Sequence, residues 1–504
     1  MSWLSKVAAL VTGLALAATT GLGAKHETWV EVRSPHFIVL SNAGEKRARE
    51  TAVQFEQIRT LFRQVIAFAA NANTPVITIF AVKDEGSLRQ LLPEYWEKGH
   101  GHPAGIFFNR LNQFYAAIQL DAPGDNPYEA LYHEYYHSLS LPYVPGLPVW
   151  LAEGLANFFG NTRISDKEAH LGQPGPGWIN ELRENRLIPL ETLFAVDHAS
   201  PYYNEQNKMS VFYAESWALT HYLMLGDNGA HRQLLFNYLA ALGEGATQQE
   251  AAAKAFDLRG LQRDLERYIG NDQFYQLNSP APPRIPDAEL QVRLLSDAEL
   301  DANLGGFAAV RGHTQEARPL LEEAARLDPQ LPLAYQNLAL ANLFDGRLSE
   351  ALDSVSRAVD LNPKNELTRY LRAYLTLMHG GRGMRDPELE DDLRQSIAAN
   401  PDFAAPYGML ALVLSADQER LPEALSLSQK GVALEPGNAG LLIDLAQVLM
   451  RMRRFDEARM AVLRARASAI APQERAQADQ VLALLQRVRE AQSSDDSEPS
   501  GTDK

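Results

Sequence analysis

Residues 127–159 read PYEALYHEYYHSLSLPYVPGLPVWLAEGLANFF, and this stretch decides the architecture of the first half of the chain. Asn126 before Pro127 is a good helix N-cap, Pro127 suits the first helical position, and Glu129 sits where a capping box needs it. The spacing predicts a helix from Pro127. Within it, His133-Glu134-Tyr135-Tyr136-His137 puts two imidazoles four residues apart, one above the other on one helix face. Both can reach a single cation, and Glu134 beside the first can hold the proton of a water bound there. The prolines of Leu141-Pro-Tyr-Val-Pro-Gly-Leu-Pro148 end this helix and force a turn. A second helix from Pro148 then runs back past the first. Trp150, Leu151, Leu155, Phe158 and Phe159 anchor it on a core, which leaves Glu153 facing the histidines. Two His and one Glu leave a fourth position of a metal open for water, the arrangement of catalytic rather than structural zinc.

Outward from this centre, residues 25–275 mix strand and helix signals, an α+β pattern. Strands are expected at Thr28–Val32, Phe37–Leu40, Val76–Val82, Ala104–Phe108 and Phe114–Leu120, the last two turning at Asn109-Arg110. Between them, residues 44–69 carry Ala48, Ala52, Phe55, Ile58, Phe62 and Val65 on one helical face. Residues 276–295 read as a linker, being Pro-rich and without periodicity.

Beyond the linker the pattern becomes helical and repetitive. Asp328-Pro329, Asn362-Pro363, Asn400-Pro401 and Glu435-Pro436 recur, with small residues at fixed offsets: Ala317 and Ala324, Ala351 and Ala358, Ala424 and Gly431, Ala458 and Ala465. Small residues let paired helices approach, and each proline stops a helix. The pattern resembles the tetratricopeptide repeat, whose period is about 34 residues. It implies an all-α solenoid over 296–490, of about five units ending in a capping helix, whose concave face binds a protein partner. Leu389 and Ser396 replace the small pair in the third unit, after a loop at Gly380-Gly-Arg-Gly383.

The ends read differently. Lys6 followed by the apolar run Val7–Ala18 and small residues up to Ala24 reads as an export signal over 1–24, with an uncleaved membrane anchor as the alternative. No second membrane span is visible. Residues 491–504 are an acidic tail, expected to be disordered. The chain has no cysteine, so a metal here must rest on His, Asp and Glu, and export brings no disulfides. A net charge of −16 has the wrong sign for a nucleic-acid binder. Export without disulfides suits a bacterial periplasm or exterior.

The HEYYH and WLAEGLANFF segments together resemble the gluzincin metallopeptidases, particularly the bacterial peptidase MA-like group, whose members are often fused to tetratricopeptide repeats. The resemblance spans most of residues 25–275. It implies an exported zinc peptidase with Zn2+ on His133, His137 and Glu153, Glu134 as general base, and a peptide or protein as substrate. It further implies that Phe114–Leu120 forms a cleft edge for substrate backbone. An Asp commonly stands four residues after the Glu ligand, where this chain has Asn157; an amide still accepts from an imidazole N–H but carries no charge. For the oxyanion the resemblance points to Tyr213, with His221 as the other choice. His100 and His102 read as a loop rather than a second metal site, and Tyr202-Tyr203 as surface packing. The alternative function is a zinc-bound recognition domain with little or no turnover, carried on a repeat scaffold.

Overall fold

The structure, a computed structural model, describes residues 27–495 apart from 72–73, 98–102, 123–125, 145, 176, 205, 272, 381–382 and 470. The export segment, His100 and His102, and residues 496–504 of the tail lie outside the described residues.

The chain begins with β1 (Val30–Arg33), β2 (Phe37–Ser41), α1 (Glu45–Val65), β3 (Ile77–Val82), α2 (Glu85–Leu91), β4 (Gly105–Arg110) and β5 (Gln113–Gln119). Then come α3 (Glu129–Ser140), α4 (Val149–Gly160), β6 (Arg163–Ile164) and β7 (Glu168–Leu171). Helices α5 (Trp178–Glu184), α6 (Leu190–Leu193), α7 (Pro201–Asn204), α8 (Gln206–Gly229), α9 (Arg232–Gly243), α10 (Gln248–Ala255) and α11 (Leu258–Ile269) follow, and then β8 (Leu277–Pro280) and β9 (Gln291–Leu294).

Six strands form one mixed sheet in the order β4-β5-β3-β2-β1-β9, parallel at β2/β3 and β3/β5 and antiparallel elsewhere. Residues alternate between its two faces, as a strand period of two requires. Val39, Ile77, Ile79, Ala116 and Ile118 point to one face, where they pack with Phe55, Ile58 and Phe62 of α1 and with Leu131, Tyr132 and Tyr135 of α3. Phe80, Val82, Tyr115 and Ala117 point to the other. A strand buried on both sides needs a near-continuous apolar run, which is why residues 77–82 read as ITIFAV.

Several sequence expectations need correction. The β4–β5 turn lies at Leu111-Asn112, both with positive φ (48° and 61°), rather than at Asn109-Arg110. β5 lies inside the sheet between β4 and β3, so the edge strand on this side is β4 and not Phe114–Leu120. Helix α3 starts at Glu129, because Asn126 spends its side chain on the Tyr128 N–H at 3.0 Å and holds Pro127-Tyr128 in a turn. The expected linker is ordered: β8 pairs with β7, and β9 pairs with β1 in the main sheet. Edge pairing uses backbone groups and needs no apolar period, so composition did not reveal it. At the far end the last helix, Pro472–Asp495, runs five residues into the expected tail.

The repeats are five helix pairs: α12 (Asp297–Val310) with α13 (Thr314–Leu327), α14 (Pro332–Phe344) with α15 (Leu348–Leu361), α16 (Glu366–Met378) with α17 (Pro387–Ala399), α18 (Ala405–Leu414) with α19 (Leu421–Leu434), and α20 (Ala439–Arg451) with α21 (Phe455–Ser468). α22 (Pro472–Asp495) closes the stack. Every residue of the small pairs is buried. In the third unit, Ser396 fills its position by donating to the Glu366 carbonyl at 2.7 Å.

The solenoid grows out of the sheet. Phe307 and Val310 of α12 join Phe80, Tyr115 and Leu88 in the core on the second face, so the first repeat helix is also a layer of the α+β domain. Further along, Gln113 donates to Asn337 Oδ1 at 3.0 Å, and the Arg110 guanidinium lies 3.5 Å from the centre of the Phe344 ring. The fifth repeat reaches the α3–α4 turn, where Gly437 N–H donates to the Pro142 carbonyl at 2.7 Å. The inner side of the solenoid and the lower end of the sheet thus enclose a cleft of about 630 Å³, lined by Gln113, Tyr115, Gln336, Asn365, Asp402 and Glu435 among others. Among the described residues no helix is long and apolar enough to cross a membrane.

Candidate metal centre

Helices α3 and α4 lie side by side, joined by the 141–148 turn. Gly160 allows this closeness: a Cβ there would lie 3.1 Å from the Cβ of His133. On its other flank α4 meets α8 at Gly154, where a Cβ would overlap Thr220 Oγ1 and the Ser216 carbonyl. The glycine after Glu153 is therefore required by backbone approach and not by a turn.

The result is a compact group. His133 Nε2 and His137 Nε2 are 3.2 Å apart, and Glu153 Oε2 lies 3.2 Å from the first and 3.3 Å from the second. Ligand bonds of about 2.0 Å at a tetrahedral centre set neighbouring ligand atoms about 3.3 Å apart. The three separations would suit three corners of such a tetrahedron, and they equally suit hydrogen bonds from imidazole N–H groups. His133, His137 and Glu153 are the one group of this kind among the described residues.

The surroundings hold these groups in place. His133 Nδ1 lies 2.8 Å from Asn157 Oδ1, which fixes the Nδ1–H tautomer and leaves Nε2 with its lone pair. The Asn157 amide also donates to the Tyr213 carbonyl at 3.3 Å, a second bond that an Asp could not make. Glu153 is only 5% exposed. Burial alone would raise its pKa, but hydrogen bonds and charge from the two imidazoles outweigh that and hold the carboxyl well below its usual range. For His133, burial works against the charged ring, and Glu153 reverses the outcome to a raised pKa.

Glu134 is half-buried and lines a cavity of about 340 Å³ together with His133, Asn157, Glu129 and Ala104. It therefore flanks the same open space as the first histidine without joining the three converging atoms. The Tyr213 ring lies 6.3 Å from the His133 ring. Burial, and then the charge of Glu153, raise the Tyr213 pKa and keep its hydroxyl protonated.

His221 is not part of the group. It is fully buried, Nδ1 accepts from the Tyr268 hydroxyl at 2.7 Å, and Nε2 lies 2.8 Å from the Tyr275 carbonyl. Burial lowers its pKa to about 4, so the ring is neutral. Eight residues along a helix turn it about 80° from the Tyr213 direction, which takes it into the core. Sequence reading also misplaced Tyr203. Its hydroxyl donates to Glu153 Oε1 at 3.2 Å, and its ring lies 6.3 Å from that of Tyr213. No local pattern marks it, because α7 has only four residues.

Two residues after Tyr213, Glu215 points into the core. Its Oε2 accepts from Ile188 N–H at 2.7 Å, and its Oε1 has no hydrogen-bond partner among the described residues. Burial pushes its pKa up to about 8 from 4.5. Between these values the folded chain keeps a proton that the unfolded chain loses, so stability falls as pH rises through the window, by up to about 1.4 kcal/mol per pH unit. Denaturant titrations at pH 5 and pH 8 should show this loss in the wild type and a flatter response in Glu215→Gln. An unchanged slope in the variant would assign the loss to other groups.

Comparison with known proteins bears on the repeats. A family model for the tetratricopeptide repeat matches residues 415–487. No curated protein matches the chain by sequence. Similar solved structures include TTC0263, a thermophilic tetratricopeptide-repeat protein of Thermus thermophilus, 21% identical over 37% of this chain and 98% of that one, with a TM-score of 0.31. MamA of Desulfovibrio magneticus RS-1 is 22% identical over 34% of this chain and 94% of that one, with a TM-score of 0.30. YrrB, a tetratricopeptide-repeat protein with an unusual peptide-binding site, is 16% identical over 36% and 92%, with a TM-score of 0.30. With five in-phase helix pairs and a matching family model, the C-terminal part of this chain is a tetratricopeptide-repeat solenoid, a scaffold for protein binding.

Proposed function

We propose that the α+β domain is a zinc-dependent peptidase of the gluzincin type and that the repeats bind a protein partner or present substrate to it. The observation that carries this reading is the spacing of His133, His137 and Glu153, with Glu134 beside an open cavity and outside the ligand set. One nitrogen from each histidine and one oxygen of Glu153 would hold the ion. A bound zinc supplies a Lewis acid and a water of lowered pKa.

The chain's own residues do the rest. Glu134 takes the proton of the attacking water and passes it to the leaving amine. Asn157 keeps His133 in the tautomer that offers Nε2. Tyr213, whose ring lies 6.3 Å from that of His133, donates its hydroxyl to the developing oxyanion. Extended substrate pairs along β4, an edge strand of the sheet, beside the start of α3. Export is a reading of residues 1–24 alone and places this activity in a bacterial periplasm or outside the cell.

The test is hydrolysis of an unfolded protein such as casein by the chain from Lys25, with and without a zinc chelator. Cleavage that the chelator stops and added zinc restores supports the peptidase. A chain that binds zinc and cleaves nothing would leave a zinc-bound recognition domain, a reading favoured by the uncharged Asn157.

A further inference from the structure

The carboxylate of Glu153 has two oxygens, and the structure treats them differently. Oε2 faces both histidines, at 3.2 and 3.3 Å. Oε1 accepts a hydrogen bond from the Tyr203 hydroxyl at 3.2 Å. The carboxylate is almost wholly buried, so water is a poor substitute for that bond.

Tyr203 is itself held in place. Its ring packs edge-on against His198 and Phe212, with centroids 5.2 and 6.2 Å away. The Tyr213 ring lies 6.3 Å from it. A phenol has one proton. Tyr203 gives that proton to Glu153, so its hydroxyl ends on the oxygen turned away from the histidines.

We propose that Tyr203 is a positioning residue that holds Glu153 to one ligating oxygen, so that the metal keeps a free position for water. This rests on the metal reading given above. The chemical reason is direct. A carboxylate with both oxygens free can close on a cation through both and fill the position that water needs. A hydroxyl bonded to one oxygen fixes the rotation of the carboxylate and takes up a lone pair. It also supplies, on the Glu ligand, an outer partner of the kind Asn157 supplies on His133.

The test compares the wild-type chain with Tyr203→Phe, which keeps the ring packing and loses only the hydroxyl. Zn2+ affinity is measured by competition with a chromophoric chelator, and coordination number by the visible spectrum of the Co2+-loaded protein. Thermal melts of the metal-free proteins control for folding. Tyr203→Phe is expected to weaken Zn2+ binding about 10-fold. Its Co2+ band should lose intensity, as a four-coordinate ion gains a ligand, while the metal-free melt stays unchanged. Tyr213→Phe, which leaves the Tyr203–Glu153 bond in place, should keep near wild-type affinity and spectrum. Wild-type affinity and spectrum in Tyr203→Phe would overturn the proposal and leave the ring as packing. A wild-type chain that takes up neither ion would instead overturn the metal reading on which the proposal stands.

Discussion

Glu134→Gln is expected to lower peptide cleavage by about 10²–10⁴-fold, the range that a lost general base costs, while the metal content stays that of the wild type. The two parts follow from its position. Glu134 lines the cavity beside His133, and the converging ligand atoms belong to His133, His137 and Glu153. Glutamine keeps the size and a hydrogen-bond acceptor but cannot take a proton at neutral pH. Initial rates on casein, measured beside elemental analysis of the same samples, separate the roles. Undiminished cleavage in Glu134→Gln would take the general base away from this residue. A parallel loss of metal would make Glu134 a support of the site rather than its base.

Phe307→Ala should destabilise the chain by about 3–5 kcal/mol, the usual cost of deleting a buried phenylalanine. The ring is 1% exposed and stands 5.1 Å from Phe80 and 5.9 Å from both Phe108 and Tyr115, centroid to centroid. Three of these four rings belong to strands of the sheet, and the fourth to the first repeat helix. Losing Phe307 therefore weakens both parts at once. Tryptophan fluorescence follows the α+β domain, because all six tryptophans precede the repeats, while far-UV dichroism is weighted to the helices of the solenoid. Both signals should move to lower denaturant together in Phe307→Ala. A shift confined to dichroism would show that the solenoid melts apart from the sheet, contrary to the shared core.

Much of this architecture was legible in the sequence where a periodic or stereochemical rule applies. The small pairs and prolines of the repeats report helix packing and helix ends, and the structure has five helix pairs at those places. The His133–His137 spacing follows from helix geometry, and the prolines of 141–148 turn α4 back along α3. Other features depended on contacts far apart in sequence. β9 joins β1 across more than two hundred and fifty residues through backbone bonds, which leave no mark in side-chain composition. Tyr203 reaches Glu153 from a four-residue helix whose placement depends on α8. His221 shares a helix with Tyr213, but its direction was set by a core that includes Trp217, Tyr268 and Phe274. The domain boundary near residue 296 was visible as a change of pattern, yet the packing of Phe307 against β3 and β5 crosses it.

The proposed peptidase needs His133, His137 and Glu153 to hold one metal ion. The most direct test is zinc content by elemental analysis of the purified chain from Lys25, after loading and dialysis, beside Glu153→Ala. One zinc per chain is expected in the wild type. A large loss is expected in Glu153→Ala, which leaves two histidines on one helix face and no third ligand. A folded wild-type chain that retains no zinc would contradict it.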